Sequence, residues 1–565
     1  MSGPEPVEGL RYNVLERLSA LQDEHGWLSD ETLARLSKEE GVPLYALGAV
    51  TSFYPHYRRT APPRCSVAVC RDASCHLAGA PELLAATKAR LARHADVEVH
   101  EVSCLGRCDV APAAVVDDVP IATATADRLE ALALGRAPLP PDESTAVPRR
   151  FETDPYAPGA PRYGVLRGLL ARGDAAFAPV PATLVESGLM GMGGAGFPTG
   201  RKWDLVRQAP GAAKYVICNA DESEPGTFKD REILEQLPHL VLEGMLIACR
   251  VIGAKTAIVY LRHEYGREKR ALAAAIAAAR ADGTLAAADV DLSIFTSPGG
   301  YILGEETALL EALEGRRGEP RNKPPFPGTH GLHGRPTLIN NVETFAHVPR
   351  ILTDGAARWK ARGVRGAAGL KFFSISGDVA RPGVHEVPAG TTLRELLDRH
   401  VGGVAGGKRL LAFYPGGAST AFLPAAKVDV PLSWEGLRQA GSALGSGAVL
   451  VVAEGRDLLD LARNVVRFFR NESCGKCVPC RVGSEKAVEV LDRVLDGKAP
   501  RATLSDLAPL HETLSLTSIC GLGQVALVPV MSVLENLPAE VDRRLGPASL
   551  PGGGGTGAGA RPATT

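Results

Sequence analysis

Nowhere in its 565 residues does this chain contain an uninterrupted apolar stretch approaching the roughly eighteen positions of a membrane-spanning helix. A soluble protein is expected, with no direct membrane insertion, and any link to a membrane would run through partners. A secretory signal is missing too, because Met1-Ser-Gly-Pro-Glu-Pro-Val-Glu8 is acidic and has no apolar core. Charge of one sign is not in excess. Lys and Arg number 63 against 64 for Asp and Glu, so the basic footprint of a nucleic-acid binder is absent. Cysteine is too scarce for a disulfide scaffold, eleven in all, and it clusters at ligand spacing. That combination points to a reducing, cytoplasmic compartment. The length exceeds what one core supports and implies three to five units.

What is there begins with those cysteines. Asn471-Glu-Ser-Cys474-Gly-Lys-Cys477-Val-Pro-Cys480 sets three thiols at C-x2-C-x2-C spacing, and Ser518-Ile-Cys520-Gly-Leu-Gly523 supplies a fourth. Such a set suits the corners of a cubane [4Fe–4S] cluster. A tetrahedral zinc site draws its thiolates as separate C-x2-C pairs, since adjacent triplets crowd one small ion. The remote fourth ligand implies one isolated cluster at the end of a wire. Nearer the N-terminus, Cys70-x4-Cys75 and Cys104-x3-Cys108 each follow a strand-like run. Two close pairs on neighbouring loops can each hold one iron of a [2Fe–2S] rhomb, with zinc the competing reading on spacing alone. Cys65, Cys218 and Cys249 have no partner at ligand spacing and read as small buried residues. His76 and His511 stand near these sets, which are complete without them.

Periodicity divides the chain into a multidomain α/β and α+β protein. Residues 1–62 read as a helical segment, in which Ser29 caps one helix and Pro43 opens the next. Residues 63–136 alternate as strand, helix and strand, a small α/β unit. A Pro-rich, extended linker spans 137–162. Residues 163–365 form the largest unit, with Gly-rich loops, the strand Ala257-Ile-Val-Tyr260 and an Ala-rich helix over 268–281. Residues 366–456 are strand-dominated and fit a ubiquitin-like β-grasp. Residues 457–543 are helical and carry the first cysteine cluster, and 544–565 read as a disordered Gly/Pro/Ala/Thr tail.

Between the clusters, Gly188-Leu-Met190-Gly191-Met192-Gly193-Gly194-Ala195-Gly196-Phe197-Pro-Thr-Gly200-Arg-Lys202 matches G-x-G-x-x-G. Pro198 and Gly200 predict that no helix starts there, which argues against a Rossmann fingerprint. The Walker pattern fails as well. What remains is a side-chain-poor loop whose amides can wrap a phosphate or let a planar ring approach, or else a plain structural turn. Three further groups accompany it. Asn219-Ala-Asp221-Glu222-Ser223-Glu224 closes the apolar run Tyr215–Cys218. Gly304-Glu305-Glu306-Thr307 precedes a helix, whose free amides could meet a ligand. Lys323-Pro-Pro-Phe326 and Asn340-Asn341-Val-Glu343-Thr344 complete the set. Carboxylates there could accept hydrogen bonds from ribose or ribityl hydroxyls, although any one alone reads as a solvated acidic face.

Together these motifs resemble the flavin- and NADH-binding subunit of the respiratory complex I family, which includes the diaphorase subunits of NAD-linked hydrogenases and formate dehydrogenases. The resemblance covers nearly the whole chain. The segment from about 8 to 135, with Cys70/Cys75, Cys104/Cys108 and Glu24-His-Gly-Trp-Leu-Ser29, is similar to the family's separate thioredoxin-like [2Fe–2S] subunit, here fused in front. The resemblance implies a non-classical Rossmann-like FMN and NADH domain. Gly191, Gly193, Gly194, Ala195 and Gly196 would line the flavin and nicotinamide pocket, with Lys202 on the FMN phosphate or ribityl side. Asn219, Asp221 and Ser223 would hold FMN, helped by Gly304, Asn340, Asn341 and Thr344. Glu222, Glu224, Glu305 and Glu306 would line the shared site, with Glu224 contacting NADH and Glu224, Glu305 and Glu306 as its catalytic carboxylates. Phe197 would stack on adenine, with Lys323 and Phe326 nearby. Cys474, Cys477, Cys480 and Cys520 would hold [4Fe–4S], and Cys70, Cys75, Cys104 and Cys108 would hold [2Fe–2S].

The implied activity is hydride exchange between NAD(H) and FMN, and single-electron exchange between FMN and the clusters. The partners would be iron–sulfur or catalytic subunits of a larger redox complex, with complex I, hydrogenase and formate dehydrogenase all open. No Arg cluster awaits a 2′-phosphate, which favours NAD over NADP. Met190 and Met192 stand where many members have arginines, and Leu205 where an aromatic is often found. A degenerate pocket would make the chain a non-catalytic electron-transfer or scaffold subunit, and zinc in place of iron would make it a structural protein.

Overall fold

The computed structural model describes residues 13–142 and 148–547. The readings for the first twelve residues and for nearly all of the C-terminal tail lie outside them. The N-terminal helices form where the caps predict. Ser29 accepts the Thr32 N–H at the start of Asp30–Glu40, and Pro43 precedes Leu44–Phe53. Asn13 caps Val14–His25 and donates to the carbonyls of Ala312 and Leu313, which anchors this segment far along the chain.

Three sheets follow in order. Strands β1 (Cys65–Cys70), β2 (Val97–Val102), β3 (Ala114–Val116) and β4 (Val119–Ile121) make a sheet of order β2-β1-β3-β4. β1 runs parallel to β2, with helix Ala80–Leu91 crossing between them, and antiparallel to β3. The cysteine loops leave the ends of β1 and β2.

The second sheet is fully parallel: β5 (Tyr215–Ala220), β6 (Thr256–Leu261), β7 (Asp291–Thr296) and β8 (Thr337–Asn341), in the order β7-β6-β5-β8. Helices such as Pro238–Ile252 cover it, so Val216, Ile217 and Cys218 are buried in succession instead of alternating. The chain moves outward from β5 to β7, then returns for β8 on the opposite side of β5. That reversal opens a crevice at the carboxyl ends of β5 and β8, where open α/β sheets bind ligands. The third sheet holds β9 (Leu370–Gly377), β10 (Gly383–Pro388), β11 (Leu410–Tyr414), β12 (Leu423–Pro424) and β13 (Ala448–Ala453), ordered β10-β9-β13-β11-β12 with β9 and β13 parallel. The C-terminal helices begin with Leu458–Asn471, whose Leu461, Val465 and Phe468 share one buried face.

One expectation is corrected. A helix, Thr199–Gln208, does begin directly after the glycine loop, with Pro198 at its N-cap. Proline costs nothing there, because its missing N–H would have had no helical partner. Gly200 serves packing: a Cβ would lie 2.4 Å from the Pro181 carbonyl oxygen and 2.6 Å from the Val185 nitrogen. The Rossmann reading still fails, for another reason. The loop follows a helix, Val180–Ser187, and not a strand.

The connector has no helix or strand in its described part, yet it is packed. Phe151 is buried, Arg149 pairs with Glu232 at 2.7 Å, and the Glu386 carboxylate accepts the Thr153 N–H at 2.8 Å. Among the described residues no single helix is long and apolar enough to cross a membrane.

Candidate functional site

A cleft of about 400 Å³ lies at the carboxyl ends of β5 and β8. Its wall includes Gly193, Gly194, Ala195, Asn219, Asp221, Glu222, Ser223, Glu224, Gly304, Glu305 and Asn341, brought together from four separate motifs. The glycine loop is held from behind. The Gly191 N–H donates to the Phe197 carbonyl at 2.8 Å, and the Met192 N–H to the Thr344 hydroxyl at 2.9 Å. A Cβ on Gly193 would come within 3.1 Å of the Asn341 Cβ, so backbone alone faces the cleft there.

The acidic run is fixed by its own hydrogen bonds. Asn219 donates to the Gly304 carbonyl at 2.9 Å, which ties β5 to the loop before helix Glu306–Leu313. Asp221 accepts from Ser223 and, at 2.9 Å, from Ser297, and burial pushes its carboxyl up to about 6. Glu222 accepts from the N–H groups of Asp230 and Arg231 and from the Tyr265 hydroxyl, at 2.9–3.0 Å. Burial, reinforced by Asp230, pushes it up to about 7. Glu224 accepts the Ser419 N–H at 2.9 Å, and burial raises it as well.

Several expected residues sit beside the cleft instead of on its wall. Asn340 accepts from the Trp203 indole at 2.8 Å. Lys202 pairs with Glu306 at 3.1 Å, and Lys323 with Glu305 at 2.8 Å. Burial opposes ionisation of Glu306, but these ammonium groups hold it below the usual carboxylate range. Phe197 and Phe326 are 46 % and 58 % exposed, and a Cβ on Gly196 would meet the Trp434 ring at 2.7 Å. The expectation of free amides at the 306 helix is corrected. Glu305 caps that helix itself, accepting from Thr307 and Ala308 at 2.9 Å each. Met192 is buried in the core, Met190 bridges to Pro198, and Leu205 is 61 % exposed, so all three departures lie off the cleft wall.

The wall also holds residues that the motifs did not single out. Lys229 and Asp230, paired at 2.6 Å, follow closely on the acidic run and were within reach of sequence reasoning. Ser419 and Ser446 come from the third sheet's loops, with no local signal to announce them, whereas Gly521 and Leu522 lie within the Cys520 motif, which was read only for its thiol.

Both cysteine sets converge. Cys70, Cys75, Cys104 and Cys108 are buried side by side, with the sulfurs of Cys104 and Cys108 3.5 Å apart and Cys70 interacting with Cys75 and Cys104. Backbone N–H groups of Gly106, Ala113 and Gly226 point at the sulfurs of Cys104, Cys75 and Cys108, at 3.4–3.5 Å. Such donors favour thiolate and tune cluster sulfurs, so the donor set fits a [2Fe–2S] group. Among the described residues no three His, Cys, Asp or Glu side chains close around a single ion. In the second set, Cys477 stands at the N-cap position of helix Val478–Leu495 and Cys520 at that of helix Gly521–Val525, neither spending its sulfur on a capping bond. Burial pushes the thiols of Cys480 and Cys520 up to about 11 and about 12. Thiols so placed ionise against a cationic metal, which fits cluster ligands.

Family models match in the same order along the chain: a thioredoxin-like [2Fe–2S] ferredoxin over residues 6–134, the Nuo51 FMN-binding domain over 184–350, an SLBB domain over 371–451, and the NADH-ubiquinone oxidoreductase-F iron–sulfur binding region over 460–544. The NADH-quinone oxidoreductase F 2 subunit of Rhizobium meliloti (strain 1021) is 44% identical over 361 residues, 63% of this chain and 86% of the relative. The chain belongs to the family of F subunits of NADH-quinone oxidoreductase. The F subunit of Aquifex aeolicus (strain VF5) is 42% identical over 65% of this chain and 86% of its own. A chain in the crystal structure of an NAD+-reducing [NiFe]-hydrogenase in the H2-reduced state superposes with a TM-score of 0.85 at 35% identity, covering 95% of this chain and 94% of that one. This member of the family is therefore an NADH dehydrogenase-type oxidoreductase subunit of a larger redox complex. It carries FMN-binding, [2Fe–2S] and [4Fe–4S] domains in one chain.

Proposed function

We propose that FMN lies against the 193–195 loop in the cleft between β5 and β8, with NAD(H) above it, and that the Cys520 cluster is the nearest electron exit. One observation carries this reading: Gly521 and Leu522, directly after Cys520, belong to the same wall as the glycine loop and the Asp221–Glu224 run. When bound, FMN supplies the exchange between two-electron hydride chemistry and one-electron cluster chemistry. The chain supplies position and electrostatics. Asn219, Asp221, Ser223 and Asn341 present the polar atoms that orient the flavin's ribityl and phosphate arm, and Lys229 puts a buried cation beside them. Glu224, fixed by Ser419, offers an acceptor to the nucleotide. Lys202 and Lys323 hold Glu306 and Glu305 at the rim, where Phe197 and Phe326 present open aromatic faces. The domain division proposed here places the [2Fe–2S] group on residues 63–136 and the [4Fe–4S] group on 457–543, flanking the flavin unit. None of the eleven cysteines is in a disulfide, which is consistent with a reducing, cytoplasmic location.

The test uses the purified, cluster-loaded chain. NADH should bleach a flavin absorbance band. Cys520→Ser should keep that bleaching while sharply reducing electron delivery to a one-electron acceptor. A chain without flavin, or with flavin that NADH does not reduce, overturns the reading in favour of an electron-transfer scaffold.

A further inference from the structure

Two arginines of the flavin-binding unit reach out of their own domain into the loop that carries Cys104 and Cys108. Arg262 directly follows β6 and is 3% exposed. Through Nη2 it donates to the Cys104 carbonyl, through Nη1 to the Glu222 carbonyl at 2.6 Å, and through Nε to the Glu264 carboxylate at 2.7 Å. Arg231 donates to the Gly106 carbonyl at 2.5 Å and pairs with Asp109 of the same loop at 2.8 Å. The contact is close: a Cβ on Gly106 would lie 2.8 Å from the Tyr265 hydroxyl. The Cys104 residue is thereby gripped at both ends, its carbonyl by Arg262 and its N–H by the Asp72 carboxylate at 2.9 Å.

The two arginines differ in how their charge is balanced. The side chains of Arg231 and Asp109 are 3% and 9% exposed, so both charges are felt almost equally inside the protein. The Arg262 pair is lopsided, with 3% exposure for the guanidinium against 24% for Glu264. Nη2 is shared between the Cys104 carbonyl and, at 3.0 Å, the Glu264 carboxylate, but water screens the carboxylate more than the cation, so a net positive field remains at Cys104. Reduction adds one negative charge to an iron–sulfur cluster, and cluster potentials follow nearby charge and burial. A fixed, desolvated cation at a ligand's backbone therefore favours the reduced form.

We propose that Arg262 raises the reduction potential of the [2Fe–2S] cluster held by Cys70, Cys75, Cys104 and Cys108, and that Glu264 restrains it. This rests on those four cysteines being the ligands. Arg262 is thus a positioning and tuning residue for that centre, supplied by the domain that binds the nucleotide.

The experiment is a redox titration of the full, cluster-loaded chain followed by electron paramagnetic resonance. Arg262→Gln should make the [2Fe–2S] cluster about tenfold harder to reduce, equivalent to about 59 mV for a one-electron couple. Glu264→Gln should shift it the opposite way, and Arg262→Lys should recover most of the unaltered value. The [4Fe–4S] signal in the same samples should not move. Both glutamine variants shifting in one direction, or Lys and Gln at 262 behaving alike, overturns the proposal. Should Arg262→Gln fail to hold its cluster, Glu264→Gln decides alone, and no upward shift overturns it. Absence of a [2Fe–2S] signal from the unaltered chain overturns the cysteine assignment itself.

Discussion

Carboxylates set the character of the cleft at the scale of single residues. Burial favours the neutral acid, so Asp221 and Glu222 lose their protons only as pH rises through about 6 and about 7. Ionisation makes the cleft more negative and opposes the phosphates of a dinucleotide. The dissociation constant for NADH should therefore rise between pH 6 and pH 8, and Glu222→Gln should flatten the upper part of that rise. Fluorescence titration of NADH at several pH values checks both statements. The residues responsible were legible because Asn219 to Glu224 are consecutive and close a strand. Ser419 and Ser446 were not, since only the docking of a separate sheet brings them to the wall. Thr344 and Asn340 were legible as neighbours of the site, but their hydrogen bonds are spent on Met192 and Trp203.

At the scale of elements, the glycine loop owes its position to the two helices it joins. Gly200 lets Thr199–Gln208 lie against Val180–Ser187 with no space for a methyl group. Gly200→Ala should cost about 1–3 kcal/mol through overpacking and should lower FMN retention, read by thermal melting and by flavin content. A proline and a glycine look like helix breakers in a sequence. They open a helix here because the cap position needs no N–H and the packing needs no Cβ, and neither fact is visible without the neighbouring helix. Behind the cleft, Glu343 lies between Lys229 at 3.0 Å and Lys371 at 2.6 Å, all buried. Glu343→Gln leaves the buried Lys371 without its carboxylate partner, while Lys229 keeps Asp230, and should destabilise the chain by about 3–5 kcal/mol, measured by denaturant unfolding.

At the scale of the whole molecule, three exposed apolar residues lie on the helices of the C-terminal cysteine cluster. Val478 and Val482 lie one turn apart on the helix that carries Cys480, at 59% and 48% exposure, and Leu516 at 75% ends a helix shortly before Cys520. Apolar side chains exposed beside the proposed electron exit suit contact with a partner subunit. Val482→Glu with Leu516→Glu should weaken co-purification with the partner while NADH still bleaches the flavin. The order of the units was legible from motif spacing. Their mutual docking was not, because it depends on contacts such as Arg231 to Gly106 and Asn13 to Ala312 that join residues remote in the chain.

The connector between the first two sheets has a thermodynamic effect of its own. In separate chains, the joint at the Cys104 loop would obey mass action and fall apart on dilution. A covalent tether replaces bulk concentration with a local one on the order of millimolar, independent of how much protein is present. The two halves therefore keep a fixed one-to-one ratio in the most dilute solution, and a single proteolytic nick in the tether would make their reunion a second-order event.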